Sequence, residues 1–174
     1  GIKSPLKMGP WDPSPTGPNL LCRGPGRKRG AYNPPMVRLG YGTNVHPAET
    51  LAEVWRVLKT YAVPLRKAVS PEEPLGIGLY LSAQAAGTLA SSRESAEDFR
   101  EFLRSERLNV FTVNAFPYGD FHAPRVKEGV YQPDWTTPRR LAYTLDAARA
   151  LGGLLEEGGT GTVSTLPLGW KASG

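Results

Sequence analysis

From residue 37 onward, apolar positions alternate between two patterns: short runs dense in β-branched and aromatic residues, and longer stripes with three- and four-residue spacing. The run VRLGYGT (Val37 to Thr43) reads as a first strand, with Gly40 and Gly42 where the backbone comes close to another element or a ligand. A helix is expected directly after it. Pro47 suits its first position, Glu49 suits its positive end, and Leu51, Val54, Trp55, Leu58, Ala62 and Leu65 recur at helical spacing. Pro64 should kink or end that helix, and Ser70-Pro71-Glu72-Glu73-Pro74 should form a turn. Gly76 to Leu81 (GIGLYL) is a second strand, followed by an Ala-rich helical piece from Ser82 to about Ala90. Ser91-Ser92-Arg93-Glu94 resembles a capping box, ahead of a helix that buries Phe99, Phe102 and Leu103 and ends near Arg107. Leu108, Val110, Phe111 and Val113 form a third strand of the kind that is fully buried in a parallel sheet, and Asn114 breaks it. After a long connection, Thr137 caps and Pro138 opens a helix that presents Leu141, Leu145, Ala148, Leu151 and Leu155 on one face and is ended by Gly158 and Gly159. Gly161 to Leu166 (GTVSTL) is a fourth strand.

Strands alternating with helices imply right-handed crossovers and a parallel sheet. The fold class expected is α/β, built as the N-terminal half of a TIM (β/α)8 barrel: four parallel strands with crossover helices, preceded by a disordered tail. A whole barrel takes about 250 residues, whereas residues 36–174 number 139 and carry four strands. The alternative is a small open sheet.

Charge locates the domain boundary. Residues 1–35 hold six basic side chains and one acidic one, with eight prolines and six glycines, so the whole net charge of +5 resides there. Residues 36–174 carry 15 basic and 15 acidic side chains and are neutral. A basic patch for nucleic acid has no support in the folded part. The proline-rich segment 1–35 cannot bury enough apolar area to offset chain entropy and is expected to be disordered. It reads either as a basic tail for RNA or anionic lipid, or as upstream sequence without a role, since Met36 stands just before the first strand. A single cysteine, Cys22, excludes an intramolecular disulfide and a cysteine metal cluster. No stretch reaches the roughly 20 apolar residues of a membrane span, and no continuous apolar run of a signal peptide is present. A cytoplasmic location is the expectation.

The chemistry concentrates after the strands. Thr43, Asn44 and His46 follow the first; Ser82 and Gln84 the second; Asn114, Phe116, Tyr118, Asp120 and His122 the third; Ser164, Thr165, Trp170 and Lys171 the fourth. In a parallel fold these share one rim, where ligands bind. Hydroxyls, amides and imidazoles there suit a polyol or sugar-like metabolite. Asn44, Asn114, Phe116, Tyr118, Asp120, Trp170 and Lys171 are the candidate substrate-binding residues, with Phe116 and Trp170 stacking on an apolar face. The aromatics of Leu108–Trp135 read equally as a binding loop or as the lid of a core. His46 and His122, the only histidines, are the candidate acid and base; the structural alternative has His46 capping a helix and His122 ordering its loop. No carboxylate stands at metal spacing from them, so no metal ligands are assigned. Arg125, Lys127 and Lys171 are either phosphate partners or solvated charges. Phosphate-cradling, nucleophile-elbow and dinucleotide motifs are all absent.

Three segments, LGYGTNVHPAET (39–50), VFTVNAFPYGDFHAPRVKEGVYQPDWTTPRRLAYT (110–144) and STLPLGWK (164–171), resemble the metabolite traffic protein EboE family, whose fold is a xylose-isomerase-like TIM barrel. The likeness covers nearly all of 37–171. It implies a role in traffic or export of a secondary-metabolite precursor, alongside cluster-encoded partners that include a membrane prenyltransferase. It also implies a chain about twice this length, with the divalent-metal ligands of the related sugar isomerases and epimerases on later strands. An isomerase or epimerase of sugar-like substrates, and a non-catalytic interaction module for membrane-bound partners, are the two other functions that the resemblance suggests. Relatives often carry cysteine where Gly42 stands, so a thiol role there is not expected in this chain.

Overall fold

The computed structural model describes residues 40–119 and 129–168, all within the compact unit Val37–Gly174. The expected tail of 1–35 lies outside the described residues. Four strands, β1 (Gly40–Gly42), β2 (Leu75–Tyr80), β3 (Leu108–Asn114) and β4 (Thr162–Ser164), pair in the order β1-β2-β3-β4. Every pairing is parallel. Helices α1 (Leu51–Val57) and α2 (Val63–Val69) connect β1 to β2; α3 (Ala83–Ser91) and α4 (Arg93–Ser105) connect β2 to β3; α5 (Pro138–Leu154) connects β3 to β4. No helix among the described residues is long and apolar enough to cross a membrane.

The helices cover one face of the sheet. Leu75, Ile77 and Leu79 of β2 and Leu108, Val110 and Val113 of β3 are buried, joining Val54, Leu58, Ala86, Phe99 and Ala147 in a single core. Trp55 packs edge-on to Phe99 and tilted on Phe102, so the aromatic stripe of α4 meets α1 as its spacing predicts. No helix among the described residues covers the opposite face. Gly42, Gly78, Thr112 and Thr162 lie in one row across it, and the threonine hydroxyls hydrogen bond to each other at 2.8 Å. β3 is therefore buried on one side only, not on both. Phe111, 46% exposed, is the extra residue of a bulge between the Val110–Ile77 and Thr112–Gly78 pairs. Its ring reaches β1, where a methyl group on Gly40 would stand 3.3 Å away.

Three local expectations are corrected and one is resolved. Pro47 does not start α1. Thr50 is the N-cap, accepting from the Glu53 N–H while Glu53 accepts from the Thr50 N–H, a reciprocal capping box that fixes the start at Leu51. Ser92 caps α4 by accepting from Ser95 N, so the pattern at 91–94 is a simple cap and not a box. Of the two outcomes expected at Pro64, a kink or an end, the helix does not end there but is locally distorted. A π-helical turn, Leu58–Ala62, takes up the proline, with the Val63 N–H reaching Leu58 O, five residues back. In a regular α-helix the Pro64 ring would strike the carbonyl four residues earlier, and the wider turn removes that clash. Finally, α5 turns a different face inward. Arg140, Tyr143, Ala147, Ala150, Leu151 and Leu154 are buried, while Leu141 and Leu145 are 53% and 45% exposed. α5 itself stops at Leu154, before the glycines, with Gly158 at φ +73° in the turn that follows.

Candidate functional site

Among the described residues, the polar side chains at the carboxyl ends of the strands form two separate groups. At the end of β1 the chain enters a short 3-10 turn, Thr43–Val45, closed by His46 N–H to Thr43 O. Thr43 is buried and its hydroxyl accepts from Tyr80 N at 2.8 Å, so it ties β1 to β2. His46 is half-buried between two tyrosines. Its Nε2 lies 2.5 Å from the Tyr41 hydroxyl, and its ring stacks on Tyr61 at 3.9 Å and 9°. Burial first, and Tyr61 second, push the Tyr41 phenol above its ordinary value of 10.0, which keeps it protonated. A phenol hydroxyl can donate to Nε2 or accept from Nε2–H, so the contact fixes the ring's position while the His46 tautomer sets which partner gives the hydrogen. Tyr61 comes from the π-helical turn, so the distortion that absorbs Pro64 also places the ring against His46. Asn44, in the same 3-10 turn, is half-buried, with its Oδ1 2.9 Å from where a side chain on Gly42 would begin.

The second group stands at the ends of β3 and β4. Asn114 Oδ1 accepts from Phe116 N at 3.0 Å and from the Ser164 hydroxyl at 3.4 Å. Neighbouring strands lie about 4.8 Å apart, so β1 and β3 are separated by about 10 Å and His46 is not in contact with Asn114. A ligand of several hydroxyl groups would be needed to touch both. Phe116 packs edge-on to Tyr131 at 5.5 Å, and Tyr118 edge-on to Tyr143 at 5.3 Å with its carbonyl accepting from Ala83 N. Tyr118 thus closes the end of the core, while Phe116 stays half-buried at the rim. Asp120, His122, Trp170 and Lys171 lie outside the described residues, as do Arg125 and Lys127. Ser82 is buried as the N-cap of α3 and donates to Glu49 O at 2.5 Å; Gln84 and Thr165 are exposed.

Beneath the rim sits Arg140, 0% exposed. Its Nε donates to Pro133 O at 2.7 Å and its Nη1 to Ala115 O and Phe116 O, both at 3.0 Å. The guanidinium lies 5.3 Å from the Tyr143 ring and 6.0 Å from the Tyr118 ring. Burial pulls its pKa below the ordinary arginine range, against smaller opposing effects of Tyr143, Tyr118 and Asp134. Burial likewise pushes the Tyr143 phenol far up, so its hydroxyl stays a donor to Leu81 O and Pro117 O. Arg140 and Tyr143 together pin the loop after β3 to α5 and the segment before it.

Four residues that matter here were not singled out for the site by the sequence: Tyr41, Tyr61, Glu49 and Arg140. Glu49 lies under the rim, accepting from the Tyr80 hydroxyl at 3.4 Å, with Oε2 2.9 Å from where a side chain on Gly119 would begin. For the tyrosines no signal existed, because both contacts are tertiary. For Arg140 one did. A cation in the first turn of a helix opposes the macrodipole, which hints at a partner elsewhere.

Among the described residues no group of three or more His, Cys, Asp or Glu is placed to hold a metal. Compared with protein-family models, curated proteins and solved structures, the chain finds no match. The class that the fold defines is an α/β protein with a four-stranded, all-parallel sheet wound in sequence order.

Proposed function

We propose that this chain is an EboE-like protein that takes part in traffic of a secondary-metabolite precursor, holding a small polar molecule at the carboxyl ends of its strands. In this reading the sheet is the N-terminal half of a (β/α)8 barrel. Sequential strand order, parallel pairing and, among the described residues, helices confined to one face support it, since a doubly wound sheet would be covered on both faces. The observation that carries the binding site is the braced His46: an imidazole fixed at one nitrogen by Tyr41 and on one ring face by Tyr61, with Asn44 in the 3-10 turn before it and Asn114 two strands away. Such a group is held for a ligand that reads hydrogen-bond direction.

Titration of the chain with a panel of polyols, sugars and sugar phosphates, followed by tyrosine fluorescence, tests this. Binding by one class, weakened at least tenfold by His46→Ala and by Asn114→Ala, is the expected outcome. Equal binding by wild type and both variants would remove the site from the rim. The traffic role predicts that producing cells lacking the protein retain the precursor and release less of it.

The Tyr41–His46 pair also favours a second reading, an isomerase or epimerase in which the Tyr41 oxygen accepts from His46 Nε2–H and so leaves Nδ1 free to take a substrate C–H proton. That chemistry requires exchange of a substrate hydrogen with deuterated solvent, slowed by Tyr41→Phe and abolished by His46→Ala. If cluster-encoded membrane partners are instead captured equally well after loss of His46, the chain works as an interaction module.

A further inference from the structure

A cavity of about 220 Å³ opens at the other end of the sheet, where β3 begins and where α4 and α5 end. Its floor is apolar: Leu103, Leu108, Val110 and Leu154 all line it and all are buried. Its rim is cationic, formed by Arg100, Arg104 and Arg107. Arg100 and Arg104 are four residues apart on α4, so they project from one helix face. Arg104 reaches Glu101 at 3.5 Å, with both side chains largely exposed, a weak tie. Neither Arg100 nor Arg107 forms an ion pair among the described residues.

Arg107 carries a second, independent observation. It follows the C-cap Glu106 and adopts φ +51°, the left-handed conformation that glycine usually supplies at this point of a helix end. A side chain there is strained, because its Cβ crowds the following carbonyl oxygen. The residue keeps a long cationic side chain in spite of that strain, and one of its Nη groups is anchored on Glu72 O at 3.2 Å, which fixes the guanidinium near the cavity mouth.

Charge decides what fits. Arg104 is shared with Glu101, so Arg100 and Arg107 are the lining guanidinium groups that no ion pair among the described residues engages, and they outnumber the one lining carboxylate, Glu156. The carboxyl ends of α4 and α5 abut the cavity and offset part of that excess, so specificity rests on the guanidinium donors together with the apolar floor. We infer that this cavity binds a small organic monoanion, a carboxylate head at the arginine rim with a short hydrocarbon tail on the leucine and valine floor. The volume matches that of about seven water molecules in the liquid, room for a carboxylate bearing about five further carbons. This site is separate from the strand-end rim and does not depend on the function proposed for it.

Calorimetric titration of the full 174-residue chain at low salt with hexanoate, acetate and inorganic phosphate tests the inference. Hexanoate is expected to bind at least tenfold more tightly than acetate or phosphate, and more weakly as salt is raised. The double variant Arg100→Gln, Arg104→Gln should lose at least tenfold in hexanoate affinity. Arg107→Gly, which suits the backbone conformation and should fold at least as well, should lose severalfold. His46→Ala, at the far end of the sheet, should bind hexanoate as wild type does. Absence of hexanoate binding, equal affinity for all three anions, or unchanged affinity in the folded arginine variants would each overturn the assignment; equal affinities would mean that surface charge alone attracts anions.

Discussion

Replacing Arg140 by methionine separates two opposing effects of a buried cation. The side chain is 0% exposed and reaches no carboxylate among the described residues, holding three carbonyl oxygens instead: Pro133 O, Ala115 O and Phe116 O. Its Nη2 has no hydrogen-bond partner. Taking such an ion out of water costs several kcal/mol, and methionine, of similar length, would recover that cost. Against it, three carbonyls would lose their donor at about 1–3 kcal/mol each, and the two tyrosine rings would lose a cation worth about 1 kcal/mol. The carbonyls outweigh the desolvation, for a net destabilisation of about 2–4 kcal/mol. With a urea slope of roughly 2 kcal/mol per molar, the midpoint should fall by about 1–2 M. Arg140→Lys keeps the charge but cannot span three acceptors with a planar fork, and should fall between. A midpoint for Arg140→Met at or above wild type would show that the cation costs more than it holds, and the account of the loop as pinned from below would be wrong.

Acid should loosen the start of α1. N–H groups of Thr50 and Glu49, then the Thr50 hydroxyl, hold the Glu53 carboxyl below its ordinary 4.5, so its contribution is present above that value and lost as pH falls through the lower folded one; Glu53→Gln should flatten that part of a circular-dichroism acid titration. Two glycine-to-alanine changes should have opposite signs in urea melts. Gly159→Ala puts a methyl 2.9 Å from Glu156 O and should cost about 1–3 kcal/mol, whereas Gly87→Ala in α3 meets nothing within 4 Å and should gain about 0.5–1 kcal/mol. Pro64→Ala should leave the π-helical turn in place. Straightening it would regain a hydrogen bond worth about 1 kcal/mol but dislodge Leu58 and Ala62, both 0% exposed; loss of the ring-current shift of His46 by Tyr61 in proton NMR would refute this.

The parallel alternation of strands and helices was legible because β2, β3 and α4 carry their periods cleanly. β3 was expected from Leu108 to Val113 with Asn114 as its breaker and in fact includes Asn114, and the α4 stripe of Phe99, Phe102 and Leu103 packs as its spacing implies. α5 was misread for a physical reason. A stripe of aliphatics, Leu141 and Leu145 among them, suggested one face, but Arg140 and Tyr143 bury better because each carries donors that backbone carbonyls at the strand ends require. Local pattern counts apolar atoms and cannot see acceptors contributed from 25 or 62 residues away. The start of α1 was misplaced because Pro47 was weighed above Thr50 and Glu53, although the capping box was present in the sequence. At the rim, His46 and Asn114 were legible as strand-end residues, but the bracing by Tyr41 and Tyr61 was not, since one partner precedes the turn and the other comes from a helix.

The face of the sheet turned away from the helices bears on where a ligand would rest. Parallel barrels normally fill their interior with layers of bulky branched side chains. The row facing away from the helices here is Gly42, Gly78, Thr112 and Thr162, with Gly40 and Gly76 behind it. Only Phe111 is large, and its ring lies across to Gly40, below the level of His46 and Asn114 on their strands. If the sheet is a barrel wall, as proposed above, this lining would leave room above that ring which these side chains do not fill. Under the proposed function, the polar residues at the strand ends are the mouth of that space and Phe111 is its apolar floor, so a ligand with hydrogen-bonding groups at one end and a hydrocarbon face at the other fits both.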